Sequence, residues 1–160
     1  MPAAPPASPE AVAPTAPPAP AEAPAAPAPS EAAPAAGENS YEDALERGAD
    51  LYKQGSVKAA ADEFKKAIDA KPDSDTPLVA MGSALYELNE TDQALKLMKQ
   101  ALAINPNNAR AYLTLGTIYQ TLNKRKDAAA AYKKYLALEP HGEFAGEVKS
   151  ILPALLRARH

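Results

Sequence analysis

Cysteine is absent from the 160-residue chain, which excludes disulfides, thiolate metal sites and a cysteine nucleophile. No apolar run approaches the roughly 18 residues that a membrane-spanning helix needs. The amino terminus has neither a basic region nor a hydrophobic stretch, so no signal peptide is predicted. These absences predict a cytoplasmic chain, or a periplasmic or membrane-tethered one if the sequence is a fragment whose anchor lies upstream.

Groups that commonly carry catalysis are also scarce. The two histidines are His141 and His160, and neither has a second histidine at metal-binding spacing. The sequence holds no glycine-rich phosphate loop, and its acidic residues are scattered rather than paired. We therefore predict no catalytic residue, no metal site, no cofactor and no small-molecule substrate, and a protein that is not an enzyme.

The first third of the chain is dominated by two residue types. Alanine and proline fill 28 of the first 36 positions, and no lysine or arginine precedes Arg47. Frequent prolines interrupt helices, and almost no apolar surface is present to bury, so residues 1–39 are predicted to be a disordered linker that acts as a semi-rigid spacer. Two PxxP matches, at residues 6–9 and 17–20, leave open a second role as a ligand for a proline-reading domain.

Residues 40–160 have mixed charge and periodic apolar residues, and they repeat. Three prolines, Pro72, Pro106 and Pro140, lie 34 residues apart. Each is preceded at constant distances by a glycine, an alanine and a large side chain, namely Gly48, Gly82 and Gly116; Ala60, Ala94 and Ala128; and Phe64, Met98 and Tyr132. This period predicts three repeats, 41–74, 75–108 and 109–142, each made of two helices.

The pattern resembles the tetratricopeptide repeat (TPR) family over residues 41–142. The resemblance implies an all-α fold, a right-handed solenoid of helical hairpins, whose function is to bind other proteins. In the first repeat, Ala44 and Arg47 replace bulky apolar residues, as a first unit with no predecessor requires. In the third, Tyr135 replaces a small residue, and its ring is expected to reach toward a final helix.

That final helix is predicted at about residues 143–157, with Phe144, Val148, Ile151 and Leu152 sealing the open end of the third repeat. Pro153 should kink or end it. Whether Leu155 and Leu156 are packed is left open.

Helix starts have local signals as well. Ser40 with Asp43 resembles a capping box, and Thr76 precedes a proline suited to the first helical position. Ser56, Thr91 and Asn108 are predicted to cap later helices.

In the TPR family the concave face is lined by fixed positions of each first helix. Carried over to this sequence, the resemblance implies a groove for a partner helix or extended peptide, formed by Leu45, Ala49, Tyr52, Lys53, Val79, Ser83, Tyr86, Arg110, Leu113, Thr117 and Gln120, with Thr76 and Ala80 beside them. The aliphatic row could instead only pack neighbouring first helices together.

One TPR subfamily binds the acidic carboxyl termini of heat-shock chaperones through a carboxylate clamp of lysine, asparagine and arginine. At those positions this sequence has Leu45, Ala49, Ala80, Arg110 and Thr114, of which only Arg110 fits, so no clamp is expected. Bacterial TPR proteins of this size often serve as scaffolds or adaptors in the assembly of envelope, secretion or motility complexes. A cytoplasmic regulatory adaptor and an accessory domain of a larger protein are alternatives.

Charge suggests a different mode of binding. Residues 41–75 have a net charge of −3 and residues 109–160 a net charge of +5. A predicted basic patch comprises Lys124, Arg125, Lys126, Lys133 and Lys134. It could bind an acidic protein or surface, although it could equally be an ordinary solvated face. Nucleic acid is disfavoured because interleaved aromatics are lacking. Ends of opposite charge favour weak head-to-tail self-association.

Overall fold

The computed structural model describes residues 33–157, and their side chains from residue 39 onward. This range is all-α, without strands, and its helices belong to one compact unit. The seven helices are α1 Ala33–Lys53, α2 Val57–Ala70, α3 Asp75–Glu87, α4 Thr91–Ile104, α5 Ala109–Thr121, α6 Arg125–Leu138 and α7 Ala145–Leu156. The predicted fold class, a solenoid of helical hairpins, is confirmed.

Each predicted repeat holds one antiparallel hairpin, and each hairpin contacts the next. Helices α1 and α2, α3 and α4, and α5 and α6 pack in pairs, while α2 contacts α3, α4 contacts α5 and α6 contacts α7. This nearest-neighbour contact order is the one expected of a stack of repeats.

The reversal inside each hairpin uses one left-handed residue at the same repeat position. Gly55, Asn89 and Asn123 have φ angles of 81°, 62° and 58°. Glycine and asparagine adopt this conformation at the least steric cost. The following amide then bonds back to the preceding helix, as Glu90 N does to Leu85 O at 2.8 Å. A two- or three-residue turn is therefore enough to join the two helices.

The framed glycines lie where the two helices of a repeat approach most closely. A Cβ on Gly48 would lie 2.5 Å from Cε1 of Phe64, and one on Gly116 would lie 2.5 Å from Cδ1 of Tyr132. The ring of the second helix thus occupies the space that any larger side chain on the first helix would need. The 34-residue spacing of glycine and aromatic in the sequence has this contact as its cause.

The predicted linker boundary at residue 39 is wrong in part, because α1 begins at Ala33. Pro34 lies in its first turn, where a missing N–H is not needed, and no further proline follows before Pro72. Ser40 is therefore inside the helix and does not cap it. The remainder of the predicted linker, residues 1–32, lies outside the described residues.

Two of the other predicted caps are correct. Asn108 is the N-cap of α5 and accepts a hydrogen bond from Ala111 N at 2.9 Å, and Ser56 is the N-cap of α2. Thr91 is instead the first residue of α4. Thr76 is wrong as a cap because α3 begins one residue earlier, at Asp75.

The carboxylate of Asp75 explains that earlier start. It accepts hydrogen bonds from Nδ2 of Asn108 at 2.6 Å and Nδ2 of Asn105 at 2.8 Å. Burial raises the pKa of Asp75, but these bonds and those from the backbone outweigh it, so the pKa lies below its usual value. The first turn of α3 is thereby tied to the turn that precedes α5.

The final helix seals the stack as predicted, with two corrections. Val148 is 1% exposed and Ala145 3%, and both lie against Tyr135, whose hydroxyl accepts a hydrogen bond from Phe144 N at 3.2 Å. The Phe144 ring itself is 40% exposed, because it precedes the helix and lies outside its buried stripe. Pro153 does not end α7, which continues to Leu156.

Leucines after Pro153 divide between the core and the surface. Leu155 packs against the cluster around Tyr132 and Tyr135, whereas Leu156 is 53% exposed. At the opposite end of the stack, α1 carries an exposed ion pair of Arg47 and Asp43 at 3.9 Å. The first repeat therefore has a polar outer face, while the last is closed by an added helix.

Candidate functional site

The first helices of the three repeats lie side by side, since α3 contacts both α1 and α5. A pocket of about 560 Å³ opens between them. Seven of the predicted groove residues line it, namely Leu45, Ala49, Tyr52, Lys53, Val79, Ser83 and Arg110, together with Thr76 and Ala80. We call this the groove pocket.

Two lining residues were missed by sequence reasoning. Phe64 comes from the second helix of its repeat, and its ring reaches the pocket because Gly48 has no side chain in front of it. Asn108 is the cap before α5. A glycine paired with an aromatic 16 residues later was the available signal for Phe64. Nothing in the sequence pointed to Asn108, whose place depends on packing between repeats.

The other four predicted groove residues lie outside the pocket. Tyr86 and Thr117 are half-buried and hydrogen-bonded within the stack, as the Thr117 hydroxyl donates to Leu113 O at 3.2 Å. Leu113 packs against the cluster that contains Tyr132. Gln120 accepts a hydrogen bond from the Tyr132 hydroxyl at 3.0 Å. These residues continue the row of first-helix positions beyond the pocket.

The two predicted groove tyrosines join consecutive repeats. Tyr52 donates to the Glu87 carboxylate, and the hydroxyls of Tyr86 and Thr121 lie 2.7 Å apart. Each bond links one repeat position to the next position of the following repeat. The tyrosines therefore hold adjacent first helices in register and present only part of their rings to a ligand.

The environment of Tyr52 changes its acidity. Burial, the hydrogen bond to Glu87 and the negative charge of Glu87 raise the pKa of Tyr52 to about 12, and the nearby Arg110 opposes the shift. This opposition shows that the Arg110 guanidinium is close enough to affect the phenol across the pocket.

The aliphatic row is part core and part surface. Val79 is 3% exposed and belongs to the central cluster of buried residues. Leu45 is half-buried beside α2, and Leu113 is half-buried toward α7. The middle of the row therefore packs neighbouring helices, whereas Leu45 keeps surface available in the pocket.

The charges of the pocket lining are all positive. Lys53 and Arg110 are exposed at its rim, and no carboxylate belongs to the lining. Lys53 also pairs with Asp50 at 3.7 Å, a surface contact that contributes little. The pocket thus combines an apolar floor with a positive rim.

The predicted basic patch is divided by the structure. Lys124, Lys126, Lys133 and Lys134 are exposed, as expected. Arg125 is half-buried, and its Nη2 donates to the carbonyl oxygens of Ala154 and Arg157 at the end of α7, the latter at 3.2 Å. Arg125 is therefore engaged by carbonyls that the end of a helix leaves without partners.

A second cleft, of about 810 Å³, lies beside Arg125. It is lined by Gln120, Asn123, Arg125, Ile151, Ala154, Leu155 and Arg157. Sequence reasoning did not find it, because it depends on α7 packing beside the end of α5. We call it the carboxyl-end cleft.

Between residues 33 and 157 no group of three or more histidine, cysteine, aspartate or glutamate side chains is placed to hold a metal ion. In the same range, no helix combines the length and apolar character needed to cross a bilayer.

Comparison with known proteins follows the repeats. A family model described as TPR repeat matches residues 82–123, and one described as tetratricopeptide repeat matches residues 109–141. No curated protein matches the chain.

Among solved structures, the Arabidopsis OM64 TPR domain is 28% identical with a TM-score of 0.70, over 74% of this chain and 98% of that one. The first TPR of Spaghetti (RPAP3), bound to the HSP90 peptide SRMEEVD, is 28% identical with a TM-score of 0.68, over 74% and 95%. The first TPR domain of human RPAP3 is 26% identical with a TM-score of 0.67, over 73% and 90%.

Proposed function

Because the chain is a tetratricopeptide repeat protein with three repeats and a C-terminal capping helix, we propose that it is a non-enzymatic binding module for another protein. Its partner would be a helix or an extended peptide that inserts an apolar side chain into the groove pocket. The structure of Spaghetti (RPAP3) with an HSP90 peptide supports a peptide-binding role, since that domain shares the fold and 28% of its residues.

The observation that carries the proposal is the composition of the groove pocket. Leu45, Ala49, Ala80 and Phe64 offer apolar surface, and small side chains leave room for a ligand. Apolar concavities with a few polar groups at the rim are typical of ligand sites. Burying one leucine-sized anchor there contributes about 1.5–3 kcal/mol, which is enough to dominate a short peptide's affinity.

The lining also argues against chemistry at this site. It contains no carboxylate and no imidazole, so it lacks the usual general acids and bases. Its hydroxyls have no neighbouring base to activate them. A scaffold or adaptor role therefore suits the groove pocket better than catalysis.

The test begins with a displayed library of random 12-residue peptides, selected on the purified protein. We expect enriched sequences to share an aliphatic or aromatic anchor, and their affinities are then measured by fluorescence anisotropy. Ala49→Gln places a longer polar side chain in the pocket and should weaken binding at least about tenfold, the loss of roughly 1.4 kcal/mol of anchor burial.

Ala103→Gln is the matched control, since Ala103 is exposed on α4 and the exchange is the same. It should change affinity less than about twofold. The melting temperatures of both variants show that they are folded. Selection without enrichment, or enriched peptides that bind Ala49→Gln as well as the parent, would overturn the proposal.

A further inference from the structure

The carboxyl-end cleft lies at the far end of the row of first-helix positions. Gln120, at the end of α5, forms one side, and the last two turns of α7 form the other through Ile151 and Leu155. Gln120 also belongs to the predicted groove. A segment that follows the first helices beyond the groove pocket therefore arrives in this cleft.

Arg125 is held in place within the cleft. Its Nη2 donates to two backbone carbonyls of α7, Ala154 O and Arg157 O, which restricts the half-buried guanidinium to one orientation. A planar guanidinium that is already ordered loses little entropy when it binds a further acceptor. Nε and Nη1 make no hydrogen bond to the residues from 39 to 157.

The charge of the cleft has one sign. Its charged lining residues are Arg125 and Arg157, and none is acidic. Lys124 and Lys126, which flank Arg125, are exposed. Of the carboxylates on α6 and α7, Glu147 is near enough to Tyr132 to raise the pKa of that phenol, but it is not in the lining. The cleft therefore presents a cationic surface beside the apolar side chains of Ile151 and Leu155.

We propose that the carboxyl-end cleft binds the side-chain carboxylates of an acidic peptide segment. This proposal rests on the proposed function only for the identity of the partner as a peptide. Arginine pairs with carboxylates in a fork geometry, and the pairing is stronger where the guanidinium is ordered and partly buried. The apolar wall accommodates the methylene groups of glutamate or a neighbouring aliphatic residue.

The spacing of the two sites predicts the arrangement of the partner. Arg110 at the groove pocket and Gln120 at the cleft are ten residues apart on α5, about 15 Å along the helix axis. An extended peptide covers this distance with about five residues. A single segment with an apolar anchor and, about five residues away, a cluster of acidic residues would thus occupy both.

The experiment uses the full chain and acetyl-hexaglutamate-amide carrying a fluorophore, measured by anisotropy at 50 mM salt. Arg157→Gln removes an exposed cleft charge without touching the core and should weaken binding at least about fivefold. Lys133→Gln is the matched control, since Lys133 is exposed on α6 outside the cleft lining and its loss changes the net charge equally. It should weaken binding less than twofold.

Arg125→Lys keeps the charge but loses the fork, and it should weaken hexaglutamate binding more than Lys133→Gln does. Equal losses in the cleft and control variants would mean only diffuse attraction and would overturn the proposal. Tighter binding of a hexathymidylate than of hexaglutamate would also overturn it, in favour of nucleic acid. Ala49→Gln should leave hexaglutamate binding unchanged, so the groove pocket and the cleft can fail separately.

Discussion

At the scale of single residues, the glycines of the second and third repeats face different neighbours. A Cβ on Gly116 meets the rigid ring of Tyr132, whereas one on Gly82 meets Cε of Met98, the end of a flexible chain. The repeats therefore use one backbone geometry with two kinds of partner. Methionine can adjust its rotamers, and an aromatic ring that is 3% exposed cannot move without shifting its helix.

Alanine substitutions should separate these two cases. Gly116→Ala is expected to lower the free energy of unfolding by about 1–3 kcal/mol through overpacking. Gly82→Ala should be nearly neutral, because alanine's better helix propensity, about 0.5–1 kcal/mol, offsets a smaller clash. Urea denaturation of both variants measures the difference. An equal or larger loss for Gly82→Ala would contradict this explanation.

Tyr52 gives a pH-dependent test of the link between the first two repeats. Its pKa of about 12 is above the usual value of about 10, so the folded state favours the neutral phenol. The stabilisation is fully present below pH 10 and is lost as the pH rises through 12. Glu87→Gln removes the charge that contributes to this shift, and the pKa of Tyr52 should fall toward 10.

The titration is read from phenolate absorbance near 295 nm. For each protein, the titration curve of its Tyr52→Phe version is subtracted, which isolates this phenol from the other six tyrosines. A pKa that stays near 12 in Glu87→Gln would show that the bond between the repeats contributes nothing to it.

At the scale of helices, α7 stacks on α6 as an added first helix without a second. Its buried stripe, from Ala145 through Val148 to Leu155, covers Tyr132 and Tyr135. The hydrogen bonds from Arg125 stabilise its carboxyl end, where Pro153 has already removed one backbone donor. The last repeat depends on this helix for burial of its aromatic side chains.

Val148→Ala should therefore lower the free energy of unfolding by about 2 kcal/mol, from lost burial and a small cavity. Leu156→Ala in the same helix is the control, because that side chain is 53% exposed, and its effect should stay within about 0.5 kcal/mol. Thermal or urea unfolding followed by circular dichroism measures both. Similar losses in the two variants would show that α7 does not seal the stack through Val148.

At the scale of the whole molecule, the stack is distinct from clamp-bearing relatives in the chemistry of its groove. The TPR of Spaghetti (RPAP3) is bound to a peptide ending in EEVD. Here Leu45 and Ala49 line the groove pocket at two clamp positions, and neither can donate a hydrogen bond from its side chain. A terminal carboxylate placed there would lose its hydration without compensation.

The expected result is that the peptide SRMEEVD gains no affinity from its free carboxyl terminus. Isothermal titration should give equal affinities, within about twofold, for the free acid and the carboxyl-terminal amide. Binding of both forms at the carboxyl-end cleft is compatible with this expectation, because that site reads side-chain carboxylates. An amide that binds tenfold more weakly than the acid would reveal a clamp made by other residues.

Much of this architecture is already determined by the sequence. The 34-residue period specifies the hairpins, since a glycine at one position and a large side chain 16 residues later must meet wherever two helices cross closely. Polar residues at Arg47 and Asp43 mark the uncovered first face, and Val148 with Ile151 marks the sealing helix. These are properties of single helices or of neighbouring pairs, which local periodicity encodes.

Only the tertiary structure decided the details that depend on side chains from separate repeats. The start of α3 follows from Asn105 and Asn108 meeting Asp75, and Phe64 enters the groove pocket through the space at Gly48. The engagement of Arg125 by α7 likewise needs two elements that lie 29 residues apart. Hydrogen bonds and surfaces between elements depend on the distance and angle between helices, which the spacing of residues along one helix does not specify.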